Sequence, residues 1–497
     1  MSSHDGIPKM PTGIPGFDNI SEGGLPLGRS TLVCGSTGSA KTTFAVQFLA
    51  EGIRQRGEAA VMVTFEERPE DICRNVASFG WELAQWEQEG KLAFVDASFH
   101  AEEESMVTGD YDLGGLLARI EHAVKKVGAV RLAMDSTAAV FTRLRDQGLV
   151  RYELFRIVNH LKNWGVTSLL THEWPEFESA RPSGAEEFVT DNVVVLRNLR
   201  QEEKRRRTIE ILKFRGTTHY KGEYPFSILP DRGVMVIPLS SLEMNQGASD
   251  QRVSSGIPRL DEMCGGGFFR DSIILISGAT GTGKTLLSAH FMDGAVKCRE
   301  KVLVFAFEES RGQLLRNAEG WGFDFRQMEA QGLVKLCCRY PETASLEDQL
   351  IYMRHEIEAF NPQRVAIDSL SALERVASSK GFREFVLAFS SFVKERGLPA
   401  LFTSTTPLLT GASSVTEEHI SSLTDTIILL RYVEIHGQMR RGLAVLKMRG
   451  SSHEKVIQEY TISAQGMSID KPFHGVFGIL SGNLSQALTA AIEQGAF

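Results

Sequence analysis

Lys41 and Lys284 stand 243 residues apart, and the segments around them repeat at that distance. Thr12-Gly-Ile-Pro-Gly-Phe-Asp18 returns as Ser255-Gly-Ile-Pro-Arg-Leu-Asp261, and Gly35-Ser-Thr-Gly-Ser-Ala-Lys-Thr42 returns as Gly278-Ala-Thr-Gly-Thr-Gly-Lys-Thr285. Glu66-Glu67 recurs as Glu308-Glu309 at an offset of 242, Asp135-Ser136 as Asp368-Ser369 at 233, and Lys213-Phe-Arg-Gly216 as Lys447-Met-Arg-Gly450 at 234. The order is kept, with one length change between the glutamates and the aspartate. Solenoid units run roughly 20 to 50 residues, so a period this long marks a tandem duplication of whole domains. The expected domains are 1–245 and 246–482, followed by a tail at 483–497. Their boundary falls in the Ser-, Asn-, Gly- and Asp-rich stretch from Ser240 to Gln251. Within each half, short β-branched runs alternate with helix-period segments, which predicts an α/β fold with a mostly parallel, twisted sheet flanked by helices.

Composition fits folded domains throughout: 42% of the 497 residues are hydrophobic and 23% charged. Lys and Arg total 54 against 62 Asp and Glu, a net charge of -8, the wrong sign for a nucleic-acid binder without a local basic patch. No apolar run reaches the ~18 residues of a membrane span, and Met1 to Pro11 shows no secretory h-region. The six cysteines form no CxxC pair. A cytoplasmic protein with reduced thiols is expected.

The strongest chemical signal is Gly278-Ala279-Thr280-Gly281-Thr282-Gly283-Lys284-Thr285, which follows the strand-like Ile273–Ser277 and opens a helix at Leu286. In that setting backbone N–H groups wrap a β-phosphate, Lys284 adds a charge toward the β and γ oxygens, and the Thr285 hydroxyl can ligate Mg²⁺. The first copy, Gly35-Ser36-Thr37-Gly38-Ser39-Ala40-Lys41-Thr42 before Thr43, places alanine where the second glycine is expected. Its duplicated context still predicts ATP binding.

Asp135 and Asp368 each end an apolar run, so both carboxylates sit at strand tips, where they can hold Mg²⁺ opposite Thr42 and Thr285. Glu66-Glu67 and Glu308-Glu309 also follow strand-like runs. One glutamate of each pair is a candidate to orient or deprotonate an attacking hydroxyl, the plain alternative being a solvated helix cap. Lys213 with Arg215, and Lys447 with Arg449, project two residues apart, an arrangement suited to a phosphate approached from a neighbouring subunit or, more plainly, a solvated strand face. The basic run Lys204-Arg-Arg-Arg207 shows no second copy and reads as a solvated loop or interface edge.

The chain resembles the KaiC family, the double-domain RecA-like ATPases and autokinases of the cyanobacterial clock. The likeness covers about residues 10–480. It is carried by strings such as Val63-Thr-Phe-Glu-Glu67, Glu186-Glu-Phe-Val-Thr-Asp191, Phe307-Glu-Glu-Ser-Arg311, Ala366-Ile-Asp-Ser-Leu-Ser-Ala372 and Thr424-Asp-Thr-Ile-Ile-Leu-Leu430. The resemblance implies two tandem RecA-like P-loop domains in a double-ring homohexamer with ATP at subunit interfaces. The first ring hydrolyses ATP slowly, and the second phosphorylates hydroxyls of the adjacent subunit. It implies Glu66 and Glu308 as catalytic bases, with Glu308 also near the metal. Ser78, Lys213, Phe214, Arg215, Thr217 and His219 match the first nucleotide site, and Trp321, Arg441, Lys447, Met448, Arg449, Ser451 and His453 the second. The phosphoacceptors that the resemblance implies are Ser421 and Ser422, where the family pattern is Ser-Thr. Aligning Asp191 with Asp425 puts Glu187 and Phe188 opposite these serines, so the first half has no acceptor at that location.

A KaiB-like partner and a signalling kinase are implied in the same way. Only 15 residues follow Gly482, a tail shorter than the one that engages KaiA in the family, so KaiA dependence is not expected. Leu484, Leu488 and Ile492 are spaced four apart and fit a short helical face. Two other readings share the fold: a RecA/DnaB-like motor on nucleic acid, and a ring scaffold assembled by ATP without kinase activity.

Overall fold

The structure, a computed structural model, describes residues 7–98, 113–138, 147–174, 189–201, 204–237, 248–406, 420–435 and 437–473, with short strands at Val476–Phe477 and Ser485–Gln486. The chain divides between Ser241 and Leu242 into two compact units.

In the first unit, β1 (Ser30–Gly35) is buried at every residue, as a central parallel strand covered on both faces must be. The loop after it leads into α1 (Lys41–Arg56), whose Phe44, Phe48 and Leu49 are buried and which stops at Gly57 in the left-handed conformation. Then follow β2 (Ala60–Thr64), β3 (Leu92–Asp96), α2 (Leu113–Val127), β4 (Arg131–Asp135), α3 (Gln147–Asn163) and β5 (Thr167–Glu173). An antiparallel set, β6 (Asn192–Gln201), β7 (Lys204–Phe214), β8 (Glu223–Leu229) and β9 (Gly233–Val236), completes the unit. The nine strands lie in the order β9-β8-β7-β6-β1-β5-β4-β2-β3. The five strands β1 to β5 and the paired edge of β6 run parallel.

The second unit repeats this plan. It contains β10 (Ile273–Gly278), α4 (Lys284–Lys297), β11 (Val302–Ala306), β12 (Val334–Cys338), α5 (Leu346–Phe360), β13 (Arg364–Asp368), α6 (Ser379–Glu395) and β14 (Ala400–Thr405). The one-turn α7 (Ile420–Leu423) then leads to β15 (Thr426–Ile435), β16 (Gln438–Met448), β17 (Gln458–Ser463) and β18 (Gly466–Pro472). The order β12-β11-β13-β14-β10-β15-β16-β17-β18 matches that of the first sheet strand for strand.

In both sheets the strands on either side of the central one run in opposite chain order, so the loops at its carboxyl end border the crevice where doubly wound sheets bind ligands. Polar residues buried at strand starts are tied to backbone. Arg131 reaches Glu58, the Phe48 carbonyl and the Pro11 carbonyl at 2.6, 2.9 and 2.8 Å. Its counterpart Arg364 reaches Glu300 and the Ser254 carbonyl, both at 2.6 Å.

One expectation is corrected. Lys204–Arg207 is the start of β7 and not a loop, and part of it does have a second copy. Asn198 pairs with Arg207 and Leu199 with Arg206, as Tyr432 pairs with Arg441 and Val433 with Arg440, so Arg206-Arg207 corresponds to Arg440-Arg441. The offset of 234 that aligns Lys213 with Lys447 gives the same correspondence. Near the carboxyl end, where a helical face through Leu484, Leu488 and Ile492 is expected, Ser485–Gln486 pairs antiparallel with Val476–Phe477. Those three leucine and isoleucine positions, with Glu187 and Phe188, lie outside the described residues.

Candidate nucleotide sites

Each phosphate loop lies between a buried central strand and a helix with no side-chain cap, which leaves the first-turn N–H groups of α1 and α4 aimed along the loop axis. Lys41 Nζ donates to the Gly35 and Ser36 carbonyls at 2.9 and 3.0 Å, and Lys284 Nζ to Gly278 and Ala279 at the same two distances. Burial lowers the pKa of both lysines, opposed by Glu173, Asp135 and Glu66 around Lys41 and by Asp368 and Glu308 around Lys284. Ala40 takes φ 75° and Gly283 φ 94°, so the residue before each lysine is left-handed, and the first loop holds this with a methyl group present.

Thr42 Oγ1 donates to Asp135 Oδ2 at 2.6 Å, and Thr171 donates to the other oxygen of that carboxylate. In the second unit Asp368 is hydrogen-bonded by Thr403 and Thr285. Burial, the larger effect, raises the Asp368 pKa. A hydroxyl and a carboxylate set side by side are hard oxygen donors of the kind Mg²⁺ takes, alongside phosphate and water.

The structure separates the two glutamates of each pair. Glu66 Oε1 accepts from Ser136 Oγ at 3.2 Å, whereas Glu67 Oε2 accepts from Asn75 Nδ2 at 3.1 Å. Glu308 Oε1 meets Arg375 at 3.0 Å, whereas Glu309 accepts from Asn317 at 3.0 Å. Glu66 and Glu308 thus turn toward the segment following the strand-tip aspartate, and Glu67 and Glu309 are held by an asparagine of the next helix. Burial, then Asp368, pushes the Glu309 carboxyl upward.

The basic pairs lie at the other end of each sheet. Thr31 of β1 is level with Asn192, and Asn192 with Phe214, whereas the loop begins at Gly35. Those four residues span roughly 13 Å at about 3.3 Å per residue. Lys213 Nζ donates to the Thr190 carbonyl at 2.8 Å, and the Arg215 N–H to the Asp191 carbonyl. In the second unit Ile274 is level with Thr426 and Thr426 with Met448, again four residues short of Gly278. Lys447 donates to the Thr424 carbonyl at 2.6 Å, and Arg449 to the Ser422 carbonyl at 2.8 Å. Ser422 is exposed on α7 beside this pair, and Ser421 is its neighbour on the same turn.

Of the other expected residues, Thr37 bonds Glu173, Ser39 and Thr282 are buried in their loops, and Leu286 is in the core. Phe214 lies 5.5 Å from the His219 ring, Thr217 is half-buried, and Ser78 is exposed on a short turn. Burial lowers the His219 pKa. Trp321 packs on the second core, Met448 is buried, Ser451 accepts from Arg252 at 2.7 Å, and His453 is half-buried. Arg441 stands 5.6 Å over the Tyr432 ring. Its first-unit counterpart, Arg207, which the sequence places in a solvated basic run, donates to the Gly38 carbonyl at 3.3 Å, directly on the phosphate loop.

No helix among the described residues is long and apolar enough to cross a membrane. The profile of the family described as "ATPase: KaiC" matches residues 10–241 and again 253–473. The circadian clock protein KaiC3 of Synechocystis sp. is 57% identical over 491 residues, covering 99% of this chain and 97% of that protein. The circadian clock oscillator protein KaiC of Synechococcus elongatus is 52% identical over 483 residues, covering 97% and 93% respectively. The protein of that same name from Thermostichus vulcanus is 51% identical over 477 residues, covering 96% and 92%.

Proposed function

Because this chain belongs to the KaiC ATPase family, we propose that it is an ATP-driven timing protein whose first unit hydrolyses ATP and whose second unit phosphorylates Ser421 and Ser422 of a neighbouring copy. The observation that carries the reading is the register of β10, β15 and β16. It puts the phosphate loop at one end of the second sheet and Lys447, Arg449 and Ser422 at the other. One nucleotide bound at Lys284 is out of reach of the basic pair and acceptor of its own copy, but a second copy packed end against end brings them together.

In that arrangement the N–H groups opening α4 and the Lys284 ammonium hold the β and γ oxygens. Lys447 and Arg449 of the neighbouring copy meet the γ-phosphoryl from outside, as trans-acting cations do in phosphoryl transfer. Glu308 takes the proton from the serine hydroxyl as the new O–P bond forms and the bond to the β-phosphate oxygen breaks, releasing ADP. In the first unit Glu66 orients water in place of a serine. Thr42 with Asp135, and Thr285 with Asp368, would hold Mg²⁺, which supplies charge neutralisation at the β and γ oxygens. A homohexamer with twelve interfacial nucleotides and a KaiB-like partner complete the proposal.

The test is peptide mass spectrometry after incubating the full chain with Mg·ATP, with ADP release followed in parallel. Phosphate on Ser421 or Ser422 is expected. ADP release with neither serine modified would overturn the kinase reading and leave an ATP-assembled ring.

A further inference from the structure

The two units differ at buried positions that brace the phosphate loop. In the second unit the hairpin of β17 and β18 lies over that loop. The Tyr460 hydroxyl donates to the Thr282 carbonyl, and a Cβ at Gly283 would stand 2.9 Å from Ile462 and 3.2 Å from Met467. This hairpin is pinned to α4 by His290, whose Nε2 accepts the Met467 N–H at 2.8 Å. Gly466, at φ 95°, lets the strand come this close, since a Cβ there would stand 2.5 Å from Nε2.

In the first unit the same post is held by Gln47, 243 residues before His290. Its Oε1 accepts the Val234 N–H at 2.6 Å, and its Nε2 donates to the Arg232 and Val234 carbonyls, each at 3.1 Å. Phe226 stands where Tyr460 does, by matching ladders: Phe226 faces Val236 as Tyr460 faces Ile469. An amide accepts and donates at any pH. An imidazole accepts only while neutral.

We propose that His290 is a positioning residue for the second nucleotide site and that its protonation loosens that site, and not the first, as pH falls. A proton on Nε2 replaces the acceptor with a donor facing the Met467 N–H. The strand must then withdraw, which takes Met467 and Ile462 off Gly283 and weakens the tie from Tyr460 to Thr282.

The surroundings set the direction. His290 is 8% exposed, and burial is the larger influence, lowering its pKa. Its charged neighbours are Asp293, which favours the cation, and Lys297, which opposes it, and these two are ion-paired with each other at 2.7 Å. The segment at Gly256, the Phe323 ring and β18 present a carbonyl, an aromatic edge 5.0 Å away and an N–H. With the folded pKa depressed, the brace is whole above the ordinary imidazole range near 6.5 and is lost as pH falls below it.

The inference rests on the nucleotide reading of the loop, so its test has two arms. In the full chain carrying Lys41→Ala, binding of a fluorescent ADP analogue reports the second site, and in Lys284→Ala it reports the first. Protonation of the nucleotide itself affects both alike. Between pH 7.5 and 5.5 the second site is expected to lose measurably more affinity than the first, by less than the roughly tenfold that an undepressed imidazole of pKa about 6.5 could give over that interval. His290→Gln, which restores the first unit's amide, should abolish that excess, and Gln47→His should create it at the first site. The second arm needs no nucleotide. Hydrogen exchange of residues 458–472 should match between wild type and His290→Gln at pH 7.5 and be faster in wild type at pH 5.5. Equal exchange at pH 5.5, or an acid loss that persists in His290→Gln, overturns the proposal. Absence of nucleotide binding at every pH would instead overturn the reading of the loops, with the exchange arm still judging His290.

Discussion

Ala40 and Gly283 occupy one position of the same loop, and their neighbours explain why only one tolerates a methyl group. The residues over Gly283 are Ile462 and Met467, and matching ladders place Ile228 and Val234 over Ala40. Valine is the shorter side chain, which leaves room. Gly283→Ala should therefore weaken nucleotide binding at the second site at least tenfold, through a contact tighter than packed cores accept plus left-handed strain of about 1–2 kcal/mol. Ala40→Gly should leave first-site binding within about twofold, both read by titration with the ADP analogue. A second residue-level expectation concerns the glutamates. Glu308→Gln should lower the rate of serine phosphorylation by at least about a hundredfold, the usual worth of a general base. Glu309→Gln, which keeps a partner for Asn317 Nδ2, should cost much less. Equal losses from the two would reverse the assignment of the base. Quantitative phosphopeptide analysis distinguishes them.

At the scale of elements, ladder register decides more than any single side chain. The central strand of each sheet carries the phosphate loop at its carboxyl end, while the antiparallel pair beside it returns its cations to the amino end. Transfer within one copy would have to cross the length of a strand. When a Lys284→Ala subunit is mixed with tagged wild-type subunits and Mg·ATP, phosphate should thus appear on Ser421 or Ser422 of the variant, which binds ATP poorly itself. Label confined to wild-type chains would mean transfer within a copy and would contradict the geometry. Phosphate on Ser422 would add ~1.5 to 2 negative charges beside Arg449, which donates to the Ser422 carbonyl at 2.8 Å. The arginine is placed to receive that charge, and α7 is therefore expected to shift with the phosphorylation state.

At the scale of the whole molecule, incompleteness is the main fact. Among the described residues neither unit sets phosphate loop, strand-tip acid and basic pair around one space, so on the proposed reading a partner surface completes each site. In the proposed assembly nucleotide would bridge copies, and its removal would delete a contact at each junction. Light scattering of the full chain should show hexamers with Mg·ATP and smaller species after ATP is removed. A hexamer that persists unchanged without nucleotide would count against the bridging cations. In Lys213→Ala with Arg215→Ala, and in Lys447→Ala with Arg449→Ala, assembly should require several-fold more ATP, because a charge-assisted phosphate contact is lost from each interface.

The duplication, the two phosphate loops, the aspartates at strand tips and the α/β class were all legible in the sequence, because each depends on local chemistry. Glycine spacing sets a loop, an unbroken apolar run sets a buried strand, and repetition at a fixed offset ties the motifs together. What the sequence left open involved distance between segments. The pairing of Glu67 with Asn75 and of Glu309 with Asn317 singles out Glu66 and Glu308 by geometry. The offset that aligns Lys213 with Lys447 also aligns Arg207 with Arg441, but only the fold shows Arg207 reaching the Gly38 carbonyl of the phosphate loop. The exchange of Gln47 for His290 looked like ordinary helix variation, since nothing near either residue in the chain mentions Val234 or Met467. Those contacts join residues 187 and 177 positions apart. Only the folded sheet brings such pairs within hydrogen-bond reach, so only tertiary structure could assign them a task.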